Sequence, residues 1–240
     1  NPDPMSTDDL HAHKRFYKEA TAAPKDGGAA VLIDGRQLRT PGKTAFLAPT
    51  LALAQACAAE WQAQGDVVRP ETMPLTKLAN VAIDRTPVAR DAMVAEVAKY
   101  GETDLVCHRA DAPASLVAKQ AAGWDPWLEW SQAELKFAPA CVTGIVAAKN
   151  DVTALTKAAE ALDDFRLTAL VRAVALAGSA ILGFALLRGA IDADAAFRAA
   201  ALDDLFQIET WGEDEEARAR LTHTEEEFHT LAAFVAALED

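Results

Sequence analysis

The sequence predicts an α+β fold: a small N-terminal antiparallel β-meander with helices, followed by an all-helical C-terminal domain. Three observations support this prediction. Short apolar runs alternate with turn signals in residues 14–48, Ala-rich segments with helix-capping signals occupy residues 50–101, and almost every segment after residue 113 has helical character. We therefore place an N-terminal α/β domain at residues 14–112 and a C-terminal helical domain at residues 113–240.

The meander is predicted from its turns. Residues 14–21 open the series of short strands, and residues 29–40 contain Asp34-Gly35 between apolar runs. Asp-Gly is a strong signal for a two-residue hairpin. Residues 40–43 form a second turn before another apolar run. Together these signals indicate antiparallel strands that follow one another along the chain.

Helices follow the meander, and their ends are recognisable. One Ala-rich helix is expected to stop at Gly65, and a second has Pro74 at a plausible first helical position. A third is expected to run from a Thr86 cap to Gly101. Residues 103–109 are the last strand candidate, and the remainder of the chain is predicted to be almost entirely helical.

Two features organise the helical region. Asp125 and Pro126 together predict the start of a helix. Residues 167–187 are apolar and long enough to cross a membrane, but they contain Arg172 and are interrupted at Gly178. We interpret them as a buried helix, or as two helices that meet at the interruption.

The charge of the chain restricts its partners. A net charge of -13 at pH 7 argues against nucleic acid, because phosphate backbones require clustered Lys and Arg. The acids concentrate near the C-terminal end, where residues 203–240 carry 12 acidic and 2 basic side chains. Such a block often only solvates a surface, but it can also steer a basic partner toward it.

The sequence contains no motif for catalysis or for a cofactor. P-loop, GxGxxG, GxSxG and HExxH motifs are absent, and the acids lack the spacing of a calcium loop. Cys57, Cys107 and Cys141 are widely spaced and form no CxxC pair, so we interpret them as free thiols in a reducing compartment. The first residues resemble neither a secretory signal nor a mitochondrial presequence. We therefore predict no metal, no cofactor and no membrane insertion.

Glu209 is the anomalous residue of the acidic region. When residues 192–211 are placed on one helix at about 100° per residue, Glu209 falls in an apolar stripe beside Leu205 and Phe206. A carboxylate buried alone in such a stripe is costly, so it needs a partner. One interpretation is an internal ion pair with Arg198 or with another helix. The other is a docking surface for the Arg, Lys or backbone amides of a second protein.

Tryptophans are the other candidates for contacts. The same projection places Trp211 on a different side of the helix, and we interpret it as a packing residue. Trp124, Trp127 and Trp130 lie at steps of three, which drift around a helix, so they are expected to bridge two neighbouring helices. Exposed tryptophans could instead anchor a partner, because aromatic residues dominate interface energetics.

Seven segments resemble those of a known family in their order and spacing, from Arg15 to about Ala217. They are RFYK, LIDGRQLRTPGK, EWQAQ, MPLTKLANVAID, YGETDLVCHRA, WDPWLEW and DDLFQIETWGEDEEA. They are similar to segments of the ATP-twelve family of chaperones, which assembles the catalytic head of F-type ATP synthase by acting on the alpha subunit.

The resemblance implies a non-enzymatic role. Members of the family bind the unassembled alpha subunit, shield the surface that later contacts the beta subunit, and prevent aggregation before pairing. The implied fold is an N-terminal α/β domain followed by a helical domain, and no cofactor is implied. We expect a bacterial homologue in the cytoplasm, whereas the eukaryotic relatives belong to the mitochondrial matrix.

The resemblance also implies partner-binding residues. The family's acidic Trp-Gly segment maps to Asp203, Gln207, Glu209, Trp211, Asp214 and Glu216. We select Glu209 as the essential contact, because the helix projection makes it anomalous. The family pattern has Asp-Glu where this chain has Asp203-Asp204, and the shorter side chain argues against Asp204 as a contact.

Two hypotheses from other classes compete with the chaperone. One is a small enzyme that uses paired carboxylates of the C-terminal helices, Glu209 with Asp203 or Asp214. The other is a helical scaffold that binds a small ligand between helices. Turnover or bound metal would favour the enzyme, and a deep pocket lined by the tryptophans of residues 124–130 would favour the scaffold.

Overall fold

The computed structural model describes residues 13–144, 150–212 and 214–239. The chain forms two compact units. One contains the residues up to Val88 together with those from Ala236 onward, and the other contains Ala89–Val235. The domain boundary expected from composition, between residues 112 and 113, stays a prediction.

The strands of the first unit form a small antiparallel arrangement. They are β1 (His13–Lys14), β2 (Ala20–Lys25), β3 (Gly28–Ile33), β4 (Arg36–Gln37), β5 (Leu47–Ala48) and β6 (Val67–Val68). Strand β3 pairs with β2, β4 and β5, and β1 pairs with β6, all antiparallel. The predicted antiparallel strands are confirmed, but residues 14–21 contain only the end of β1 and the start of β2, which continues to Lys25.

Tight turns at glycine set the register of this sheet. Asp34 and Gly35 connect β3 to β4 with φ values of 47° and 76°, the left-handed pair that a two-residue hairpin needs. The predicted hairpin is therefore confirmed. A Cβ at Gly28 would lie 2.1 Å from the carbonyl oxygen of Ala48. Glycine at this position therefore lets β5 approach β3.

Three helices begin in the first unit: α1 (Leu51–Gln62), α2 (Pro74–Asp84) and α3 (Thr86–Glu102). Pro74 is the first residue of α2, as the sequence predicts. The carboxylate of Asp84 accepts hydrogen bonds from the hydroxyl of Thr40 at 2.7 Å and from the backbone N–H of Gly42 at 2.8 Å. These bonds join the second turn of the meander to the end of α2.

The second unit is mainly helical. After the end of α3 it contains β7 (His108–Arg109), α4 (Ala114–Trp130), β8 (Val142–Thr143), α5 (Thr153–Glu160), α6 (Asp164–Ala177), α7 (Ala180–Leu187), α8 (Ala193–Ala200), α9 (Leu202–Trp211) and most of α10 (Glu215–Ala236). Strands β7 and β8 are parallel neighbours. The α+β class is confirmed, and β8 is a short strand that the sequence analysis did not predict.

Helix α4 corrects one prediction. It runs from Ala114 through Pro126 to Trp130, so the helix start predicted at Asp125 and Pro126 is wrong. Proline inside a helix removes one backbone hydrogen bond and crowds the preceding turn. Burial compensates for this cost, because Trp124 is 0% exposed and its indole N–H donates to the carbonyl oxygen of Ala199 at 2.8 Å.

The apolar stretch at residues 167–187 forms two helices, as one of the two interpretations expects. Helix α6 ends before Gly178, which has a φ of 64°, and the hydroxyl of Ser179 caps α7 by accepting from Leu182 N–H. All residues of α7 are buried. Within the described part of the chain, no helix is long and apolar enough to cross a membrane.

Asp104 anchors the start of α7. Its buried carboxylate accepts backbone N–H groups from Val106 at 3.2 Å and from Ile181 at 3.1 Å, and it is hydrogen-bonded to Ser179. Burial raises the pKa of Asp104 to about 6, because loss of hydration outweighs the hydrogen bonds that favour the charged form.

The raised pKa of Asp104 predicts a pH dependence of stability. The folded protein holds this proton more tightly than the unfolded chain, so the contribution of Asp104 to the free energy of unfolding falls as pH rises from about 4 to about 6. We expect the free energy of unfolding of the wild type, taken relative to that of Asp104→Asn, to fall by on the order of 2 to 3 kcal/mol between pH 4 and pH 7. Urea unfolding at several pH values measures it. Parallel pH curves for the two proteins would contradict the prediction.

Candidate functional site

The acidic C-terminal segment is built on two helices rather than one. The chain breaks at Ala201, between α8 and α9, so the single helix assumed for residues 192–211 is wrong. Asp192 caps α8 by accepting from Ala195 N–H at 2.7 Å, and α9 has Asp203 and Asp204 in its first turn. Acids at a helix N-terminus are stabilised by the helix dipole.

Helix α9 rests against α4. Its Phe206 is buried, and the amide of Gln120 on α4 donates to a carboxylate oxygen of Asp203 at 2.8 Å. The ammonium group of Lys119, also on α4, lies 5.8 Å from the centre of the Phe206 ring and pairs with Glu209. Neighbouring residues of α4 therefore contact α9 near its start, through Asp203, and near its end, through Glu209.

Glu209 is exposed, with 65% of its side chain accessible, and its ion-pair partner is Lys119. The helix projection places Glu209 in an apolar stripe and leaves its burial open; in the structure the buried residue of α9 is Phe206, and Glu209 lies at the surface. The interpretation of an internal pair is half right, because the pair involves another helix, but it lies at the surface and does not use Arg198. The role of Glu209 in partner binding stays a prediction.

Trp211 ends α9 and is 76% exposed, so its interpretation as a packing residue is wrong. Trp124 is fully buried, while Trp127 and Trp130 are half-buried and meet edge to face at a centroid distance of 6.4 Å. The interior of the unit therefore uses the tryptophans of α4, and the tryptophan of α9 is presented to solvent.

An open groove of about 400 Å³ lies where α9 ends and α10 begins. We call it the α9–α10 groove. Its lining comprises Asp204, Gln207, Ile208, Trp211, Gly212, Asp214, Glu216, Ala217 and Arg220. Four of the six predicted binding residues thus share one groove, whereas Asp203 and Glu209 contact α4. Asp204 also lines the groove, although its short side chain argued against it.

The groove carries net negative charge around an exposed apolar ring. Arg220 lies 3.6 Å from Asp204, and both side chains are exposed. Asp214 accepts from Ala217 N–H at 2.7 Å and thereby caps α10. The indole of Trp211 and the side chain of Ile208 supply apolar surface beside these carboxylates. This combination suits a protein segment that offers an apolar side chain next to a cation.

The residues that support the site carry no local signal in the sequence. Lys119 and Gln120 lie on α4, far from α9 along the chain, and nothing in their local sequence indicates the contact. The basic residue of the groove, Arg220, is also absent from the predicted set. An ion pair with another helix is one of the two interpretations of Glu209, but the identity of its partner, Lys119, requires the tertiary structure.

One set of side chains has the composition of a metal site. Candidate ligand atoms of Asp194, Glu225 and His229 all lie within 4.8 Å of one another. Nε2 of His229 lies 2.9 Å from a carboxylate oxygen of Asp194, and this exposed contact accounts for their proximity without an ion. Surface pairs of this kind are common, so we assign no metal here.

Comparisons with known proteins place the chain near one family. The family model described as ATP12 chaperone protein matches residues 14–132. Among curated proteins, the mitochondrial protein atp12 of Schizosaccharomyces pombe is 24% identical over 219 residues, covering 85% of this chain and 75% of the relative.

Solved structures agree with this match. The crystal structure of Atp12 from Paracoccus denitrificans is 42% identical, with a TM-score of 0.88, covering 94% of this chain and 98% of the other. The Atu1473 protein of Agrobacterium tumefaciens is 36% identical, with a TM-score of 0.85, covering 95% of this chain and 86% of the other. The similarity therefore extends beyond the residues of the family model and includes the C-terminal helices.

The exposure of Trp211 predicts that it adds little to stability. We expect Trp211→Ala to change the free energy of unfolding by less than about 0.5 kcal/mol, because the indole has little to lose on truncation. Trp124→Ala is the matched comparison and should lower it by about 3 to 5 kcal/mol, because it leaves a cavity and an unpaired carbonyl group. Urea unfolding of both variants measures this. Equal losses would show that Trp211 packs against the protein.

Proposed function

This chain belongs to the ATP12 chaperone family of ATP synthase assembly factors, and on that premise we propose that it binds the unassembled alpha subunit of the catalytic head. In this proposal the chaperone covers the alpha surface that later contacts the beta subunit. An isolated alpha subunit would expose that apolar surface and self-associate. The observation that carries the proposal is the exposed surface of α9, with Glu209 and Trp211, at the segment identified from the family resemblance.

Trp211 is the proposed apolar anchor. Its indole is accessible and adjoins the α9–α10 groove, so a client side chain can reach it without any rearrangement of the interior. Large aromatic residues contribute a disproportionate share of binding energy at protein interfaces. Gln207 lies one turn earlier on the same helix and supplies a polar contact to the same groove.

Glu209 is the proposed charged contact. Its ion pair with Lys119 is exposed, and pairs of this kind contribute about 1 kcal/mol or less. The carboxylate can therefore exchange Lys119 for an Arg, a Lys or a backbone amide of the client at small cost. While no client is bound, Lys119 keeps the carboxylate of Glu209 oriented.

The remaining predicted residues divide into two roles. Asp203 is hydrogen-bonded to Gln120, so we propose that it fixes the start of α9 and contacts the client at the edge of the surface. Asp214 and Glu216 line the α9–α10 groove and supply negative charge to its rim. Charges at an interface rim accelerate encounter more than they increase affinity. Moderate affinity suits a chaperone that must release its client to the beta subunit.

We favour a binding role over the alternative enzyme with paired carboxylates. Glu209 pairs with Lys119, Asp203 accepts from Gln120, and Asp214 caps α10, so each carboxylate serves a different partner. The relatives are named chaperones, and the sequence has no nucleotide-binding motif, so we expect capture that does not depend on ATP. The relatives are bacterial and mitochondrial, and we propose a bacterial cytoplasmic location for this chain.

Charge reversal at Glu209 should abolish capture of the alpha subunit without unfolding the chaperone. Glu209→Lys places two cations side by side at the surface, which should lower stability by about 1 kcal/mol or less. The same change repels a basic client contact, and we expect at least a roughly tenfold loss of affinity. Co-purification of tagged chaperone with unassembled alpha subunit measures capture, and circular dichroism reports the fold.

Glu226→Lys is the control for this experiment. Glu226 is exposed on α10 and lies outside the α9–α10 groove lining, so its reversal changes the net charge equally and should preserve capture. A folded Glu209→Lys protein that still captures alpha would overturn the site. Failure of the wild-type chaperone to capture alpha would overturn the function.

The acidic rim also predicts a salt dependence of association. Raising the salt concentration from about 0.05 M to about 0.5 M should lower the association rate constant roughly tenfold, because screening shortens the reach of the field. The dissociation rate constant should change much less. Stopped-flow or surface-based kinetics with purified alpha subunit separates the two rates. An association rate that does not respond to salt would show that the acids do not guide encounter.

A further inference from the structure

Cys107 and Cys141 lie side by side at the start of two neighbouring strands. In the parallel pair of β7 and β8, His108 is the register partner of Val142, and the two cysteines are the residues directly before them. The two thiols are close enough that Cys141 is among the groups that raise the pKa of Cys107. Two residues that are far apart in sequence are thus held together by the strand register.

This arrangement has the geometry that a disulfide needs. Neighbouring strands lie about 4.8 Å apart, within the roughly 4.4 to 6.8 Å over which Cα atoms can be bridged. Extending the register of β7 and β8 back by one residue places Cys107 and Cys141 opposite each other, with both side chains on the same face of the strand pair. A bond between the sulfur atoms therefore requires little movement of the backbone.

The two thiols differ in their access to solvent. Cys141 is exposed, whereas Cys107 is 2% exposed. Burial raises the pKa of Cys107 far above its usual range, nearby Asp104 and Cys141 raise it further, and Arg109 opposes the shift only in part. Cys107 therefore stays protonated, and Cys141 is the thiol that a dissolved oxidant meets first.

We propose that Cys107 and Cys141 form a reversible intramolecular disulfide when the protein meets a peroxide. The sulfur of Cys141 attacks one peroxide oxygen, the O–O bond breaks, and a sulfenic acid and one molecule of water form. The sulfur of Cys107 then attacks the sulfenic sulfur, its proton joins the departing hydroxide, and a second molecule of water leaves. Two thiols are oxidised, one peroxide is reduced, and a dithiol reductant reverses the reaction.

The disulfide would restrain the helix that supports α9. The chain between Cys107 and Cys141 contains α4, whose Lys119 and Gln120 contact α9. Closing this loop covalently limits the unfolded chain and should stabilise the folded unit. This inference stands independently of the proposed function, because it concerns only contacts within the chain.

Peptide mapping of the oxidised protein tests the proposal. The full chain is treated with hydrogen peroxide, remaining thiols are alkylated, and the protein is digested without reductant. We expect a peptide pair linked through Cys107 and Cys141. Cys57 is buried in the other unit, so we expect it to escape oxidation and to be recovered in alkylated form after denaturation. We also expect a rise of about 5 °C or more in the melting temperature, which dithiothreitol should reverse.

Cys141→Ser is the matched variant. Because Cys141 is exposed, the substitution should preserve the fold and the melting temperature of the reduced protein while removing both the linked peptide and the effect of peroxide. Peroxide that leaves Cys107 and Cys141 unlinked, as thiols or as separately oxidised sulfurs, would overturn the proposal. So would a link to Cys57 or between two chains, or a linked protein whose melting temperature does not change.

Discussion

The burial of Trp124 is the contact on which the C-terminal unit depends. Its indole is fully enclosed and donates to the carbonyl oxygen of Ala199, the next-to-last residue of α8. The neighbouring Gly123 leaves room for α9, since a Cβ at that position would lie 2.6 Å from a methyl group of Leu202. Helix α4 continues past both residues and through Pro126 to Trp130. Trp124 and Gly123 thus lie against the junction of α8 and α9. The proposed contact residues come after this junction along the chain.

This arrangement separates the residues that stabilise the unit from those available for binding. Trp124 holds the end of α8 through Ala199, and the Asp203–Gln120 hydrogen bond holds the start of α9. Glu209 and Trp211 lie at the exposed end of the same helix, where removing either should cost the fold little. A chaperone benefits from this separation, because a rigid support keeps the binding surface organised while the surface itself exchanges partners. Preorganised contacts lose less entropy on binding than contacts that must first become ordered.

The sequence predicts the parts of the structure that local chemistry determines. Asp34-Gly35 specifies its hairpin because few other residues accept two left-handed conformations in succession, and Gly178 ends a helix for a related reason. The exposure of Glu209 could not be predicted, because it depends on the break at Ala201 and on packing against α4. Pro126 shows the same limit, since the local signal for a helix start at Asp125 and Pro126 lies inside a helix that begins at Ala114. The resemblance to a known family identified the acidic segment, but Lys119 and Gln120 emerge only when the chain is folded.

Negative charge alone does not explain why Glu209 is a candidate for binding. Asp203 and Asp204 occupy the first turn of α9, and Asp214, Glu215 and Glu216 occupy the start of α10, where acids stabilise helix N-termini. Glu209 lies instead in the last turn of α9, where the helix dipole disfavours a carboxylate. No local benefit to the helix accounts for an acid at that position. The exposed ion pair with Lys119 offsets this cost only weakly. An acid that the helix itself disfavours, held at the surface near an exposed tryptophan, therefore supports the proposal that Glu209 contacts the client.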